Sequence, residues 1–419
     1  MLYERWSQIA REHRQERALR DFITGHEWTF GQLFDEGEKF GSLGARPSEG
    51  TVFIAQNSPE FIFQLLAAWR QGEPVCPLEP GQSPPSIADA PAGIRHFKCT
   101  SATAGAARLV AFTAEQLAAD AENIVATMGL RADWPNVGVI SLAHSFGFSN
   151  LVLPLLLHGV PLVLAAAPLP EIIRRAAAAE KNVTIPAVPA MWRAWHEAGA
   201  IPKNLQLAIS AGAPLPVKLE QDVFGSTGVK IHNFLGASEC GGIAYDASTI
   251  PRDDVAVAGT AMRNVALSLD DDGCLVVRSR AVGQSYWPEN SPRLGEGTFH
   301  SSDLAELRDG RVILRGRMGD VINVAGRKIS PETIERELLA NPKVRECLVL
   351  GLPGRDTDRM EIIAAVVVSD ATELELKKFL LDWLPAWQVP REWHFVEALQ
   401  TNARGKVSRA EWRRKLLRK

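Results

Sequence analysis

Short apolar runs alternate with amphipathic stretches up to about residue 255, and this rhythm constrains the fold more than any other feature of the chain. TVFIAQNS (51–58) predicts a buried strand, PEFIFQLLAAWRQG (59–72) the helix after it, and PVCPLEP (74–80) the next strand. The same order returns around VGVISLAHS (137–145) and LQLAISAG (205–212). Strands separated by helices at this spacing are typical of parallel sheets with crossover helices, so we expect an α/β fold.

The pattern changes after about residue 255, where turn-rich strands replace the helices. VALSLDDDGCLVVRSR (265–280) and GTFHSSDLAELRDGRVILRGR (297–317) each carry an Asp-Gly turn between apolar stretches, which predicts antiparallel hairpins. A compact α+β pattern follows, beginning with a helix capped by Ser330 with Pro331 at its first position. We therefore expect a large N-terminal domain (1–318) of parallel α/β subdomains plus an antiparallel β section, and a small mobile C-terminal α+β domain (319–419).

Charge and cysteine usage exclude several classes of protein. The 419 residues include 46 Lys and Arg against 49 Asp and Glu, a net charge of −3, so no basic field favours nucleic acid or an anionic membrane. Five scattered cysteines without a CxxC pair predict reduced thiols of a cytoplasmic protein. The charged N-terminus lacks the apolar run of a secretion signal. The apolar segment 151–170 is interrupted by Pro154, Gly159 and Pro161, which favours buried core over a membrane span.

Four polar segments are candidates for chemistry, although each alone has a simpler explanation. TSATAGAAR (100–108) could wrap phosphates with backbone N–H groups or be an ordinary turn. Glu239 in GASE follows an apolar strand, where a carboxylate suits Mg²⁺, but it could equally be a surface acid. Asp303 with the arginines of RGRMGD could serve a ribose and a phosphate, and Lys406 in NARGKVSR could be only a solvated charge.

Taken in this order and at these distances, the segments make the chain resemble the acyl-adenylate-forming superfamily. This superfamily includes acyl-CoA and aryl-CoA synthetases, luciferases and the adenylation domains of peptide synthetases. The resemblance runs from WTFGQLFDEG (28–37) to the terminal GKVSR, and GRMGDVINVAGRKISPETIE (316–335) is its most specific part. It implies an ATP-dependent ligase that joins a carboxylic acid to AMP with release of pyrophosphate and then passes the acyl group to a thiol.

The resemblance also implies a role for individual residues. It assigns catalysis to Lys406, Glu239 and His144, with Mg²⁺ on Glu239, and it places Asp303 on the ribose, Arg317 on ribose and phosphate, and Gly319 at the hinge. Gly326 matches the glycine beside the thiol tunnel. The implied nucleotide and cofactor contacts are Thr100, Ser101, Thr103, Gly105, Arg108, Gly212, Ala213, Pro214, Asn233, Leu235, Gly236, Ser238, Asp303, Arg317, Gly326 and Lys328.

Three departures from the family pattern stand out. Arg108 replaces the usual Lys of the phosphate loop, Leu235 replaces the aromatic residue that stacks on adenine, and the segment before the phosphate loop is short. A guanidinium fork is not equivalent to an ammonium point charge, so triphosphate handling could be slower. A non-catalytic nucleotide-binding homologue is therefore one alternative.

The resemblance leaves the substrates open in part. Apolar residues near the expected acid pocket favour an aromatic or medium-to-long aliphatic acid. CoA is the expected acceptor, with the phosphopantetheine of a carrier protein as the alternative, and a homodimer is one expectation for the assembly.

Overall fold

The computed structural model describes residues 1–43, 50–87, 90–100, 108–165, 167–354, 361–400 and 407–418. The helices are α1 Leu2–Glu12, α2 Phe30–Leu43, α3 Pro59–Gln71, α4 Ala114–Met128, α5 Ser145–Gly147, α6 Leu153–His158, α7 Pro170–Ala178, α8 Pro189–Glu197, α9 Val217–Thr227, α10 Pro331–Ala340, α11 Glu373–Leu381 and α12 Arg409–Leu417. A π-helical turn, Phe148–Val152, joins α5 to α6, and 3₁₀ turns occupy Met318–Asp320 and Ala386–Gln388.

The strands of the large N-terminal part are β1 Arg17–Asp21, β2 Glu27–Thr29, β3 Val52–Ile54, β4 Val75–Pro77, β5 Ile94–Cys99, β6 Leu109–Thr113, β7 Asn136–Gly138, β8 Leu162–Leu164, β9 Val183–Ala187, β10 Leu205–Ser210, β11 Ile231–Ala237, β12 Gly241–Tyr245, β13 Val257–Ala261, β14 Ala266–Leu269, β15 Cys274–Arg278, β16 Ser285–Trp287, β17 Leu294–Gly295, β18 Thr298–Arg308 and β19 Arg311–Arg317. The remaining strands are β20 Ile322–Val324, β21 Arg327–Ile329, β22 Val344–Pro353, β23 Glu361–Ser369 and β24 Glu392–Phe395.

The large N-terminal part contains one long mixed sheet. Its strand order is β14-β15-β18-β19-β13-β12-β11-β10-β9-β7-β8-β1-β2, with β17 beside β18. Strands β1, β8, β7, β9, β10 and β11 run parallel, and the strands from β12 to β14 pair antiparallel. A second sheet has the order β16-β6-β5-β4-β3. The predicted fold class, parallel α/β followed by an antiparallel section and an α+β end, is confirmed.

Local signals place several elements where the sequence predicts them. Helix α3 ends at Gly72 in the left-handed conformation (φ 72°), and Ser330 precedes α10 with Pro331 at its first position. The segment VGVISLAHS is an exception, because β7 ends at Gly138. The backbone N–H of Leu142 then donates to Asn57 Oδ1 at 2.9 Å, which holds the chain away from the sheet and leads it to His144.

Apolar packing separates into distinct cores along the chain. The largest core runs from Leu2 to Val312, and two further cores on the faces of the β22-β23-β24 sheet contain residues between Ile322 and Trp412. The 3₁₀ turn Met318–Asp320 lies between them. The domain boundary after residue 318 stays a prediction, and this separation supports it.

Residues 151–164 of the apolar segment are divided among the π-helical turn, α6 and β8, which pack into the largest core. None of the helices in the described part of the chain combines the length and apolar character needed to span a bilayer.

Candidate active site

A cleft of about 980 Å³ opens where strands of the large sheet end, and residues of the C-terminal part close its other side. The carboxyl ends of parallel strands are where open α/β sheets bind ligands. Twelve of the sequence-predicted site residues line the cleft: Thr100, His144, Gly212, Ala213, Pro214, Asn233, Leu235, Gly236, Ser238, Glu239, Asp303 and Arg317. Folding therefore brings residues that are far apart in the chain to one place.

Glu239 lies in the turn between β11 and β12, and its side chain is half-buried. Burial raises the pKa of Glu239 above its ordinary value, while the hydroxyl of Tyr286, which donates to Glu239 Oε1 at 3.1 Å, and the charge of Arg317 act in the opposite direction. Burial and the nearby Glu239 carboxylate raise the pKa of Tyr286 in turn. Tyr286 is a site residue that the sequence does not signal, because it lies 47 positions away on another strand.

The predicted phosphate loop begins and ends at two residues that hydrogen-bond to each other. Thr100 Oγ1 donates to the carbonyl oxygen of Arg108 at 3.1 Å, and the N–H of Arg108 donates to Thr100 Oγ1 at 3.2 Å. The guanidinium of Arg108 lies 5.5 Å from the ring centroid of Tyr286, so it is linked to Glu239 through that ring. Ser101, Thr103 and Gly105 lie outside the described residues.

Asp303 and Arg317 face each other across the β18–β19 hairpin. Arg317 Nε donates to Asp303 Oδ1 at 2.9 Å, and the two residues are register partners. The backbone N–H of Asp303 also donates to Ser301 Oγ at 3.0 Å. The paired carboxylate and guanidinium give this wall of the cleft adjacent acceptors and donors, the combination that ribose hydroxyls and a phosphate require.

Backbone groups form the wall predicted to receive adenine. Gly212 has φ 85°, a conformation that favours glycine, directly after β10. At Gly236 an added Cβ would lie 2.9 Å from the carbonyl oxygen of Gly241, so a larger residue would disturb the β11–β12 turn. Asn233 is tied to the sheet, since its Nδ2 donates to the carbonyl oxygen of Ala258 at 3.4 Å. The side chain of Leu235 is half-buried at the cleft.

His144 caps the short helix that enters the cleft. Its Nδ1 accepts from the backbone N–H of Phe146 at 3.2 Å, which fixes the ring beside the helix end. The next residue, Ser145, donates to Ser238 Oγ at 2.8 Å and so joins this helix to the turn that carries Glu239. Phe146 lies in the same wall and packs against Phe234 with ring centroids 5.9 Å apart.

The C-terminal part contributes Gly319 and the first turn of α12 to the cleft. Arg409 holds this turn in place through Asp320 at 3.1 Å, Glu332 at 2.9 Å and Glu335 at 2.7 Å. Gly326 and Lys328 lie on the β20–β21 hairpin and are not among the residues that line the cleft. Lys406 lies outside the described residues. The roles predicted for these three residues stay predictions.

The donor set at Glu239 fits a magnesium ion held mainly by a nucleotide. Among the described residues, no three His, Cys, Asp or Glu side chains converge as a protein-only metal site. Mg²⁺ is commonly held by one or two carboxylates plus substrate phosphates and waters, so a single carboxylate facing a cleft is sufficient. A cation there would also offset the cost of burying the charge of Glu239.

Comparison with known families finds two matches that together cover more than half of the chain. The model of the AMP-binding enzyme family matches residues 98–287, and that of the AMP-binding enzyme C-terminal domain matches residues 333–406.

Among curated proteins, a feruloyl-CoA synthase of an Amycolatopsis species is 26% identical over 450 residues, covering 89% of this chain and 90% of that protein. A 4-hydroxybenzoate–CoA/benzoate–CoA ligase of Rhodopseudomonas palustris is 24% identical over 343 residues, covering 75% of this chain and 63% of that protein.

Solved structures share the fold over nearly the full length. ATP-bound MatB from Rhodopseudomonas palustris superposes with a TM-score of 0.87 at 18% identity, covering 99% of both chains. The o-succinylbenzoate CoA synthetase MenE from Bacillus subtilis, solved with its acyl-adenylate intermediate, gives a TM-score of 0.84 at 19% identity over 97% of both chains.

Proposed function

Because this chain belongs to the acyl-adenylate-forming superfamily and is an AMP-forming acid–thiol ligase, we propose that it converts an aromatic or medium-to-long aliphatic acid to its CoA thioester. In the first half-reaction, a carboxylate oxygen of the acid attacks the α-phosphorus of ATP and pyrophosphate leaves. In the second, the thiol loses its proton, its sulfur attacks the acyl carbon, and AMP leaves with the oxygen that came from the acid.

In the first half-reaction, each of these residues contacts a different part of ATP or of the acid. Asp303 accepts from the ribose hydroxyls, Arg317 contacts ribose and phosphate, and the adenine lies against the Gly212–Pro214 backbone and the end of β11. Glu239 would hold Mg²⁺, which supplies charge neutralisation of the phosphates. Lys406 reaches the carboxylate and the α-phosphate, where a preorganised positive charge stabilises the charge that develops in the in-line transition state.

His144 serves the acid and the thiol step from the other side of the cleft. Its ring is held by the N–H of Phe146. We infer from the family pattern that it lies between the acid pocket and the channel for the thiol. Between the two half-reactions the C-terminal part turns about Gly319. The side that carries Lys406 then leaves the cleft, and the side that carries Gly326 and Lys328 takes its place. On this proposal, Gly326 and Lys328 reach the cleft only after the rotation.

The observation that carries this proposal is the convergence of Glu239, Asp303–Arg317 and His144 on one cleft that is closed by the C-terminal part. Two of the similar proteins are named for aromatic acids, feruloyl-CoA synthase and 4-hydroxybenzoate–CoA/benzoate–CoA ligase, and the Phe146–Phe234 wall is suited to an aromatic ring.

Pyrophosphate release with ATP, Mg²⁺ and a panel of carboxylic acids tests the proposal. We expect pyrophosphate to form only when an accepted acid is present, and AMP to be released once a thiol acceptor is added. ADP formation, or no turnover with any acid, would contradict it. Adding free CoA or a phosphopantetheine-bearing carrier protein to the active mixture then identifies the acceptor, and a thioester on CoA is the result we expect.

A further inference from the structure

A buried polar cluster that the proposed chemistry does not use lies behind one wall of the cleft. It consists of Lys98 on β5, Asp120 on α4 and Ser149 in the π-helical turn, with exposed fractions of 3%, 1% and 3%. Ser149 Oγ donates to Asp120 Oδ2 at 2.6 Å, and Lys98 Nζ lies 3.2 Å from Ser149 Oγ and 3.4 Å from Asp120 Oδ2. Burying the Lys98–Asp120 ion pair costs free energy that apolar residues at the same place would not cost. Its position beside a ligand cleft therefore indicates a role in binding.

One residue of the cluster, Ser149, also belongs to the lining of the cleft. Ser149 and Asn150 line the cleft together with Phe146 and His144. Ser149 lies five residues beyond His144, about 7 Å along the chain at the rise of an α-helix, and the proposed function puts the reacting carboxylate near His144. On that placement Ser149 and Asn150 lie nearer the part of the acid that is away from its carboxylate.

A glycine allows the Asp120 carboxylate to approach this wall. Gly241 lines the cleft with φ 69°, and an added Cβ there would collide with the carboxylate of Asp120. The next backbone N–H, that of Gly242, donates to Asp120 Oδ1 at 3.3 Å. Asp120 therefore receives hydrogen bonds from Lys98, Ser149 and Gly242, and its acceptor capacity is largely used within the protein.

The acceptors left over at this wall define the chemistry that would bind there. Ser149 Oγ donates to Asp120 and accepts from Lys98, which leaves one lone pair. Asn150 is 1% exposed; its Nδ2 donates to the carbonyl oxygen of Phe146 at 3.0 Å, and its Oδ1 has no hydrogen-bond partner within the described ranges. One acceptor without a donor, Asn150 Oδ1, next in sequence to a hydroxyl oxygen with spare acceptor capacity, favours a ligand group that carries an N–H or O–H.

We propose that the acid substrate carries a hydroxyl or amino group at the end remote from its carboxylate, and that Ser149 and Asn150 accept hydrogen bonds from it. Lys98 and Asp120 are positioning residues, because their hydrogen bonds fix Ser149 Oγ at the wall of the cleft. This inference rests on the proposed ligase function and narrows its substrate class. A site built to accept such a group rejects acids that lack it, since its own polar atoms would stay unpaired.

Matched pairs of acids that differ only at the remote end test this inference. The pairs are benzoate with 4-hydroxybenzoate and 4-aminobenzoate, and hexanoate with 6-hydroxyhexanoate. For the better-accepted skeleton, we expect kcat/KM for adenylation to be about 10- to 100-fold higher with the hydroxyl or amine than without it. Terephthalate, which presents a second carboxylate to the two acceptors, should be a poor substrate.

Ser149→Ala and Asn150→Ala separate recognition from a merely structural role. Each should reduce the ratio of kcat/KM for the hydroxylated acid to kcat/KM for the unsubstituted acid to within about 3-fold, the scale of losing one hydrogen bond, and this ratio is the readout whatever the absolute rates. Thr184→Val is the matched control, because Thr184 is an equally buried hydroxyl residue outside the cleft lining, and it should leave the preference unchanged.

Three results would overturn the inference: equal activity on both members of each pair, a preference for terephthalate, or a Ser149→Ala variant that loses activity equally on both members. If Ser149→Ala does not fold, Asn150→Ala and the wild-type preference decide the question. Failure of the ligase function itself would look different, since wild-type protein would then release no pyrophosphate with any acid, and both proposals would fall.

Discussion

Glu239 has two properties that act in opposite directions, since burial disfavours its charge and the proposed chemistry requires that charge. The raised pKa means that the folded protein loses stability as the pH rises from the ordinary glutamate pKa to the folded value. Residues that are costly to the fold and placed at a cleft are typical of functional sites. The same residue should therefore affect activity and stability in opposite ways.

Glu239→Gln should lower adenylation about 10²–10³-fold, by analogy with the loss of one preorganised electrostatic contact, and should raise the melting temperature at pH 7 to 8. Gln keeps the shape and removes the buried charge, and the gain in stability should vanish near pH 4, where the native carboxyl is already neutral. Pyrophosphate release and thermal melts at both pH values measure the two effects. Glu171→Gln is the control, since this exposed carboxylate pairs with Arg174 and neither residue lines the cleft, and it should leave adenylation unchanged. A variant Glu239→Gln with full activity would show that another group holds the metal.

Tyr286→Phe should move the acid limb of the adenylation pH profile to higher pH. The Tyr286 hydroxyl donates to the Glu239 carboxylate and lowers its pKa, so removing the hydroxyl raises that pKa and requires a higher pH for ionisation. The profile of kcat/KM between pH 5 and 9 measures this shift. If Phe lowers activity equally at every pH, Tyr286 supports the fold and does not tune Glu239.

At the scale of elements, local sequence signals predict the hairpin turns correctly, but they do not predict the irregularities in strand pairing. The Asp309–Gly310 turn has φ values of 52° and 73°, which closes the β18–β19 hairpin as the Asp-Gly pair predicts. A bulge between Leu304 and Ala305 then shifts the register by one residue and places Asp303 opposite Arg317. The pair is predicted as a site from the family pattern, but nothing in the local sequence indicates the bulge that aligns it.

The proposed rotation of the C-terminal part takes place at the 3₁₀ turn Met318–Asp320. Gly319→Pro should impair thioester formation about 10-fold or more while adenylation changes less, because proline fixes φ near −65° and restricts the rotation. Gly319→Ala is the control: no atom lies within 4 Å of an added Cβ, so both half-reactions should stay near wild type. Separate assays of adenylate formation and of thioester formation from supplied acyl adenylate measure the two steps. Equal loss in both steps with Pro would instead indicate local misfolding.

At the scale of the molecule, the cleft lies between separate apolar cores, and its assembly depends on contacts between residues far apart in the chain. The strand-and-helix rhythm predicts the parallel sheet, and Asp-Gly turns predict the antiparallel section. Tyr286 on Glu239 and the Lys98–Asp120–Ser149 cluster were not predicted, because each joins strands and helices that no short motif connects. Lys98 in the strand IRHFKC is the sequence signal for this cluster. A lysine in a buried strand needs a partner, since Lys is rarely buried without one.

Lys406→Ala tests whether the two half-reactions use different arrangements of the C-terminal part. Adenylation should fall about 10²–10³-fold, as for the loss of one preorganised charge at a transition state. Supplied acyl adenylate and CoA should still give thioester near the wild-type rate, because Lys406 has then left the reacting atoms. If both steps fall together, Lys406 is structural or the domain does not alternate. If neither falls, the match of this lysine to the family pattern is accidental.

The path of one oxygen atom distinguishes acyl-adenylate formation from other routes of ATP-dependent activation. Carboxylic acid labelled with ¹⁸O in both carboxylate oxygens is incubated with the wild-type protein, ATP, Mg²⁺ and CoA, and the AMP and pyrophosphate are analysed by mass spectrometry. Attack of the acid on the α-phosphorus followed by thiolysis predicts one ¹⁸O in each AMP and none in pyrophosphate. Unlabelled AMP, or label recovered in inorganic phosphate with ADP as the nucleotide product, would contradict the acyl-adenylate mechanism.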